Sequence, residues 1–186
     1  MSTAQLAPAV IEQRRVTTGN RRNELSDRVA VGRPYLAFRL ADEVYAIDIL
    51  RIREIIEYNL PTSVPMMPAS VRGVINLRGA VVPVIDLAVR FGRPATGVGK
   101  RTCFVIVEVE HAGALHILGL MVDGVNALME IGAENIEPAP TFGTRVNAEF
   151  IEGMARIDGR FVIILDIGRV LSIEEMAAIK SVDATP

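Results

Sequence analysis

Asp86 and Asp166 are the residues whose type and spacing first suggest chemistry. They sit eighty positions apart, each inside a similar apolar run: AVVPVIDLAVRF from Ala80 and RFVIILDIGRVL from Arg160. Two carboxylates can divide acid and base work between them. A hydrolase built on them needs both in one cleft. The competing reading is that each ends a strand and accepts the backbone N–H groups of the turn that follows, once per unit. His111 and His116 are the only histidines, and a metal site needs a third and usually a fourth ligand at suitable spacing, so no metal is expected. Cys103, the single cysteine, falls on an alternating apolar face with no nucleophile motif beside it and reads as a small core residue. Gly97-Val-Gly-Lys-Arg-Thr102 resembles a phosphate loop only in outline. Pro94 stands where the first glycine belongs, and Arg101 rather than Ser or Thr follows Lys100. It reads as a solvated linker entering a strand.

Arg78 is different in kind. It stands at the turn of VRGVINLRGAVVPVIDLAVRF, Val71 to Phe91, inside an otherwise apolar stretch. Either its stem covers the sheet while its head stays in water, or its planar fork is offered to a partner, as arginines at interfaces often are. The stretch is echoed by IEGMARIDGRFVIILDIGRVL, Ile151 to Leu171. Gly73 matches Gly153, Gly79 matches Gly159, and Asp86 matches Asp166. A fixed-offset echo means that one supersecondary unit was built twice. The copies differ at the turn, where Arg78-Gly79 is answered by Asp158-Gly159.

The elements that position these residues read as strands. Leu36, Phe38 and Leu40 alternate with Ala37 and Arg39, and Tyr45, Ile47 and Ile49 with Ala46 and Asp48, which predicts two strands with one buried face each about a turn at Ala41 to Glu43. Ile52, Ile55 and Ile56 fit either a strand end or one helical turn. Pro61, Pro65 and Pro68 make a loop. Val71–Leu77 and Ala80–Leu87 predict a hairpin, with Pro83 implying an edge or a bulge in its second strand. After a linker at Gly92–Gly99 the plan repeats. Cys103 to Val109 and Leu115 to Val122 read as strands, Pro138 and Pro140 as a second proline loop, and Asp158-Gly159 as a hairpin turn. Ser172-Ile-Glu-Glu175 carries the capping-box pattern of a short terminal helix. Many short strands punctuated by glycine and proline predict an all-β protein with short helices, built as two small β-barrels. The expected division is a flexible tail at 1–32, a first barrel at 33–96, a second at 97–171 and a helix at 172–182. Ile52, Glu54, Ile55, Leu128 and Met129 hold matching places in the two halves, where some could line a groove suited to a helix.

Bulk properties narrow the function. The 186 residues include 20 Lys and Arg against 22 Asp and Glu, a net charge of −2 that gives no basic surface for nucleic acid. Aromatics are 5% with no tryptophan, which speaks against a stacking platform for bases or sugars. No apolar run reaches the ~18 residues of a membrane span. The first thirty residues lack the apolar core of a signal peptide. A cytoplasmic protein without cofactor is the expectation.

Taken together these segments resemble the CheW family of chemotaxis coupling proteins. The resemblance runs from Tyr35 to Ile179 and rests on YAIDILRIREII, VRGVINLRGAVVPVIDL, LGLMVDGV, IEPAP and SIEEMAAI. It implies a pair of five-stranded β-barrels with a hydrophobic interface, and a non-catalytic adaptor. The implied partners are the regulatory domain of a CheA-type histidine kinase, the cytoplasmic tip of methyl-accepting receptors and other family copies in an array, with the membrane reached only through the receptors. The output could be motility or another chemosensory pathway. The family's receptor-contact positions fall on Arg78, Ile52, Glu54, Gly73 and Leu128.

Overall fold

The computed structural model describes residues 32–141 and 146–171. The expected tail and the terminal helix at 172–182 lie outside the described residues, save Gly32. Eleven strands are described: β1 Arg33–Leu40, β2 Glu43–Asp48, β3 Ile52–Glu57, β4 Val71–Leu77, β5 Ala80–Asp86, β6 Cys103–His111, β7 Ala114–Val122, β8 Gly124–Ile131, β9 Ile136–Glu137, β10 Ile151–Ile157 and β11 Arg160–Leu165. Two short helices, α1 Leu87–Arg90 and α2 Ile167–Val170, follow β5 and β11. The ambiguous Ile52, Ile55 and Ile56 all lie on β3, whereas Ile49, expected to continue the second strand, opens a 3-10 turn at Ile49–Arg51. The turn is capped by Asp48, whose side chain accepts the Leu50 N–H.

The strands form two sheets, in the orders β8-β1-β2-β11-β10-β9 and β3-β6-β7-β5-β4. The sheets cut across the division expected at residues 96 and 97. Hairpin β1–β2 is flanked by β8 and β11, strands that follow the other hairpin. Hairpin β6–β7 is flanked by β3 and β5, strands that follow the first. Each half of the chain thus lends its later strands to the hairpin of the other half. Sequence spacing alone does not reveal this exchange, because consecutive strands pair with one another more often than not.

The echo is reproduced in detail. β4–β5–α1 and β10–β11–α2 share one burial pattern on their first strands. Each first strand carries an irregularity at its glycine, between Val71 and Gly73 and between Ile151 and Gly153. Each second strand pairs in parallel with a hairpin strand, β5 with β7 and β11 with β2. Pro83 sits on an interior strand rather than at an edge. It is tolerated because the parallel ladder to β7 begins only at Val84, so the missing N–H breaks no bond on that side.

Burial follows from the curl of the sheets. Tyr35, Ala46, Ile131, Ala155, Val162 and Ile164, all on the six-stranded sheet, form one core. Ile75, Val82, Val84, Phe104, Ile106 and Met121, all on the five-stranded sheet, form another. The largest core joins the two sheets and includes Leu36, Phe38, Ile85, Val105, Val107, Leu118 and Leu120. The central strands β1, β2, β6 and β7 therefore bury both faces, not the single face that their alternation predicts. Alternate residues fill different cores, with small Ala37, Ala46 and Gly119 on the tight inner side. The two sheets curl around their own contents, while their edge strands share no backbone ladder.

His116 on β7 is buried, with neither ring nitrogen hydrogen-bonded among the described residues. A buried polar group without a partner costs on the order of 1–3 kcal/mol. His116→Leu is expected to raise stability by about 1 kcal/mol, read as a higher urea midpoint at unchanged slope. A lower midpoint would mean that the imidazole is satisfied in solution.

Candidate functional site

Arg78 and Gly79 occupy the β4–β5 turn, both with positive φ, 53° and 89°. Asp158 and Gly159 do the same in the second copy, at 49° and 75°. Two consecutive left-handed residues favour Asn, Asp or Gly at the first position. Asp158 obeys that preference and Arg78 does not. Asn76 steadies the first turn by accepting the Gly79 N–H on its side-chain oxygen at 2.8 Å. A local preference set aside at one copy of a duplicated turn is what a functional position looks like.

The arginine is held from across the sheet. Its two terminal nitrogens donate to both carboxylate oxygens of Glu54, at 2.9 and 2.8 Å. The Arg78 side chain remains 77% exposed, against 25% for Glu54. Glu54 lies on β3 and Arg78 beside β4, the two edge strands of the five-stranded sheet. They meet only because the sheet curls. The bidentate pair fixes the guanidinium plane at the mouth of the inner core. A small cavity there is lined by Arg53, Leu77, Ala80, Val82, Ile106 and Ile117 along with the pair.

A bulge on β3 aims Glu54 at this point. Ile52 opposes Val107 and Glu54 opposes Ile106, so Arg53 is the extra residue. It is held outward by Glu108 at 3.2 Å. One inserted residue reverses the alternation. Ile52 therefore packs on the inter-sheet core, whereas Ile56 packs on the inner one. The matching bulge on β8 skips Asn126, with Val125 opposite Phe38 and Ala127 opposite Ala37. Register thus equates Glu54 with Ala127 and the exposed Ile55 with Leu128. The second copy lacks both members of the ion pair. The eighty-residue offset of the echo hid this, because the bulged strands are offset by seventy-three.

The other expected positions are placed apart from the pair. Leu128 is exposed at 60% on β8, in the other sheet. Gly73 is buried under Thr62, within the loop that joins β3 to β4. Thr62 and Val74 exchange two backbone hydrogen bonds at 2.8 and 2.9 Å, and the φ of Gly73 is 134°. Gly73 offers no side chain to a partner. Its position seats the loop against β4. Asn76 and Arg53 were not among the positions singled out from sequence. The signal for Asn76 was available, since Asn commonly closes a turn on its own backbone.

Asp86 is fully buried. One carboxylate oxygen accepts from the Ala88 N–H at 3.0 Å and the Thr96 hydroxyl at 2.8 Å, and the other from the Thr96 N–H at 2.9 Å. Arg72 stands 3.9 Å away. Asp166 accepts from the Gly168 N–H at 3.1 Å and faces Arg169. Both carboxylates cap the helix that follows them. Asp86→Ala is expected to destabilise the fold by about 2–4 kcal/mol, because it strands buried donors. Its thermal midpoint should fall well below that of Asp166→Ala, whose carboxylate is more exposed. Equal losses would contradict this assignment. Burial pushes the pKa of the half-buried Cys103 thiol up, so it stays protonated at neutral pH. Among the described residues no group of three or more potential metal ligands is found, and no helix is long and apolar enough to cross a membrane.

Comparison with known proteins agrees with this architecture. Residues 34–175 match the model of the CheW-like domain. The chain is 36% identical over 152 residues to the chemotaxis protein CheW of Klebsiella aerogenes, covering 82% of this chain and 89% of that one. It is 33% identical over 147 residues to the CheW of Rhizobium meliloti, covering 79% and 92%. The crystal structure of the scaffolding protein TtCheW from Thermoanaerobacter tengcongensis superposes with a TM-score of 0.71 at 33% identity, covering 80% of this chain and 94% of that one. By family-model match, by relatives and by fold, the chain is therefore a chemotaxis coupling adaptor and belongs to the CheW family.

Proposed function

We propose that this adaptor joins the cytoplasmic tip of methyl-accepting receptors to the regulatory domain of a CheA-type histidine kinase, and that Arg78 is its receptor contact. The observation that carries the reading is the Glu54–Arg78 pair. It presents an exposed, orientationally fixed guanidinium at one of two equivalent turns, on a backbone conformation that disfavours arginine. In this reading Glu54 and Ile52 support the contact from β3, Leu128 is a second receptor contact on the other sheet, and Gly73 acts through the loop that it seats. The mechanism is geometric and non-catalytic. Two sheets present separate faces, so a receptor helix and a kinase domain can bind together, and the receptor state then shifts the kinase between active and inactive populations. The membrane is reached only through the receptors.

Co-sedimentation of the full chain with a receptor cytoplasmic fragment and a CheA-type kinase, with kinase activity assayed alongside, tests this. The expected result is a ternary complex in which receptor state controls autophosphorylation. Failure of the chain to join either partner would overturn the reading. A milder variant separates the contact from the fold. Arg78→Asn places a preferred residue in the left-handed turn and should leave the thermal midpoint unchanged or slightly raised while receptor binding weakens. A clear drop in midpoint would make Arg78 a structural residue.

A further inference from the structure

Three cations converge on a surface cleft that lies apart from the Glu54–Arg78 pair. Arg39 at the end of β1, and Lys100 and Arg101 in the turn before β6, line a cavity of about 410 Å³ together with Ala41, Gly97, Gly99, Thr102 and Asp123. Its volume lies within the range of small-molecule sites, about 300–1,000 Å³.

The cleft is built from ordered parts. The segment at 97–102, expected to be a loose linker, is a closed turn. Gly99 N–H donates to the Thr102 hydroxyl oxygen at 2.8 Å, and Thr102 N–H donates to the Gly99 carbonyl at 3.2 Å. Thr102 is itself buried. Arg101 lies across Gly124: a Cβ there would stand 3.2 Å from the Arg101 Cβ and 3.7 Å from its Nε. Gly124 is paired with Arg39 in the ladder between β8 and β1. A glycine at that point therefore leaves room for Arg101 beside the strand that pairs with Arg39.

None of the three cations forms an ion pair among the described residues. Glu57 lines the neighbouring cleft with Lys100 and Arg101 without reaching ion-pair distance. Asp123 is the one carboxylate in the lining, and one of its oxygens is taken by the Ala41 N–H at 2.6 Å. The lining carries a net positive charge in a chain whose own net charge is −2. Two arginine forks and an ammonium suit tetrahedral phosphate oxygens.

We propose that this cleft binds a soluble polyphosphate group, pyrophosphate or the phosphates of a nucleotide, held by Arg39, Lys100 and Arg101. A lipid headgroup offers the same phosphate oxygens, so vesicles form a separate arm of the test.

Isothermal titration calorimetry of the full chain with inorganic pyrophosphate and with ATP tests it. Saturable binding that weakens as salt rises is expected, with Arg101→Gln and Lys100→Gln each lowering affinity about tenfold. Arg33→Gln makes the same charge change six residues back along β1 from Arg39, outside the cleft lining, and should leave affinity unchanged. Arg101 lies against Gly124, so the Lys100 variant keeps the test decisive if the Arg101 variant fails to fold. Binding of pyrophosphate and ATP alike assigns the site to the phosphate chain. Absence of saturable binding, or an equal loss in Arg33→Gln, overturns the proposal. So does capture by phosphatidylglycerol–phosphatidylcholine vesicles without pyrophosphate binding, which would assign the patch to lipid.

Discussion

Arg78→Glu is expected to abolish receptor control of kinase activity while the protein stays folded. The substitution removes a fixed guanidinium and sets a carboxylate beside Glu54. At an interface, loss of a central arginine anchor commonly costs 2 kcal/mol or more, about thirtyfold or more in affinity. Reversed charge adds repulsion against any acidic partner group. The effect on folding should be small, because the exposed pair contributes about 0–1 kcal/mol and the turn disfavours arginine in any case. Receptor pull-down and coupled autophosphorylation measure the first quantity, and a thermal melt measures the second. The exchanged pair, Arg78→Glu with Glu54→Arg, separates two roles. It restores an ion pair across the curled sheet but moves the cation to β3. Coupling should stay lost. Full recovery in the exchanged pair would mean that the pair serves the sheet and that Arg78 is not read by a partner.

Gly73→Ala is expected to unfold or severely destabilise the first copy of the duplicated unit. A Cβ at this position would stand 2.2 Å from the Thr62 carbonyl oxygen and 2.8 Å from its carbon. Both are backbone atoms tied to Val74 by two hydrogen bonds, so they cannot move aside without breaking the bridge. The φ of 134° adds strain for any side chain. The sum is on the order of 3 kcal/mol or more. Gly79→Ala is the natural comparison. Its φ of 89° is also positive, yet its Cβ would meet nothing within 4 Å. About 1 kcal/mol is expected there. Chemical denaturation of the two variants side by side distinguishes close approach from backbone freedom. Equal losses would show that the contact with Thr62 relaxes freely.

These two glycines mark where sequence reading succeeded and where it stopped. Gly73 and Gly79 stood out as breaks in an apolar run, and both are breaks. That one seats a loop while the other merely turns a corner depends on Thr62, eleven residues from Gly73 and placed by a proline loop without periodicity. The hairpins were legible because their apolar alternation and turn chemistry are local. The 3-10 turn at Ile49–Arg51 was not, since Ile49 continues the alternation of Tyr45 and Ile47. The cleft at Arg39, Lys100 and Arg101 was half seen. Its glycines drew notice and failed the phosphate-loop pattern, while the third cation came from a strand sixty residues earlier.

By itself the sequence determined the all-β class, the duplicated unit with its strand-end aspartates, and the family to which the motifs point. Those features rest on neighbours in the chain, where side-chain alternation, turn preference and capping act over a few residues. Tertiary structure alone decided the exchange of strands between the halves, the burial of both faces of the central strands and the meeting of Glu54 with Arg78. Each depends on how far a sheet curls and where a single inserted residue reverses its alternation. A bulge at Arg53 and its counterpart at Asn126 leave the hydrophobic pattern nearly unchanged, yet they determine which side chain faces the arginine and leave only one copy of the unit with the pair.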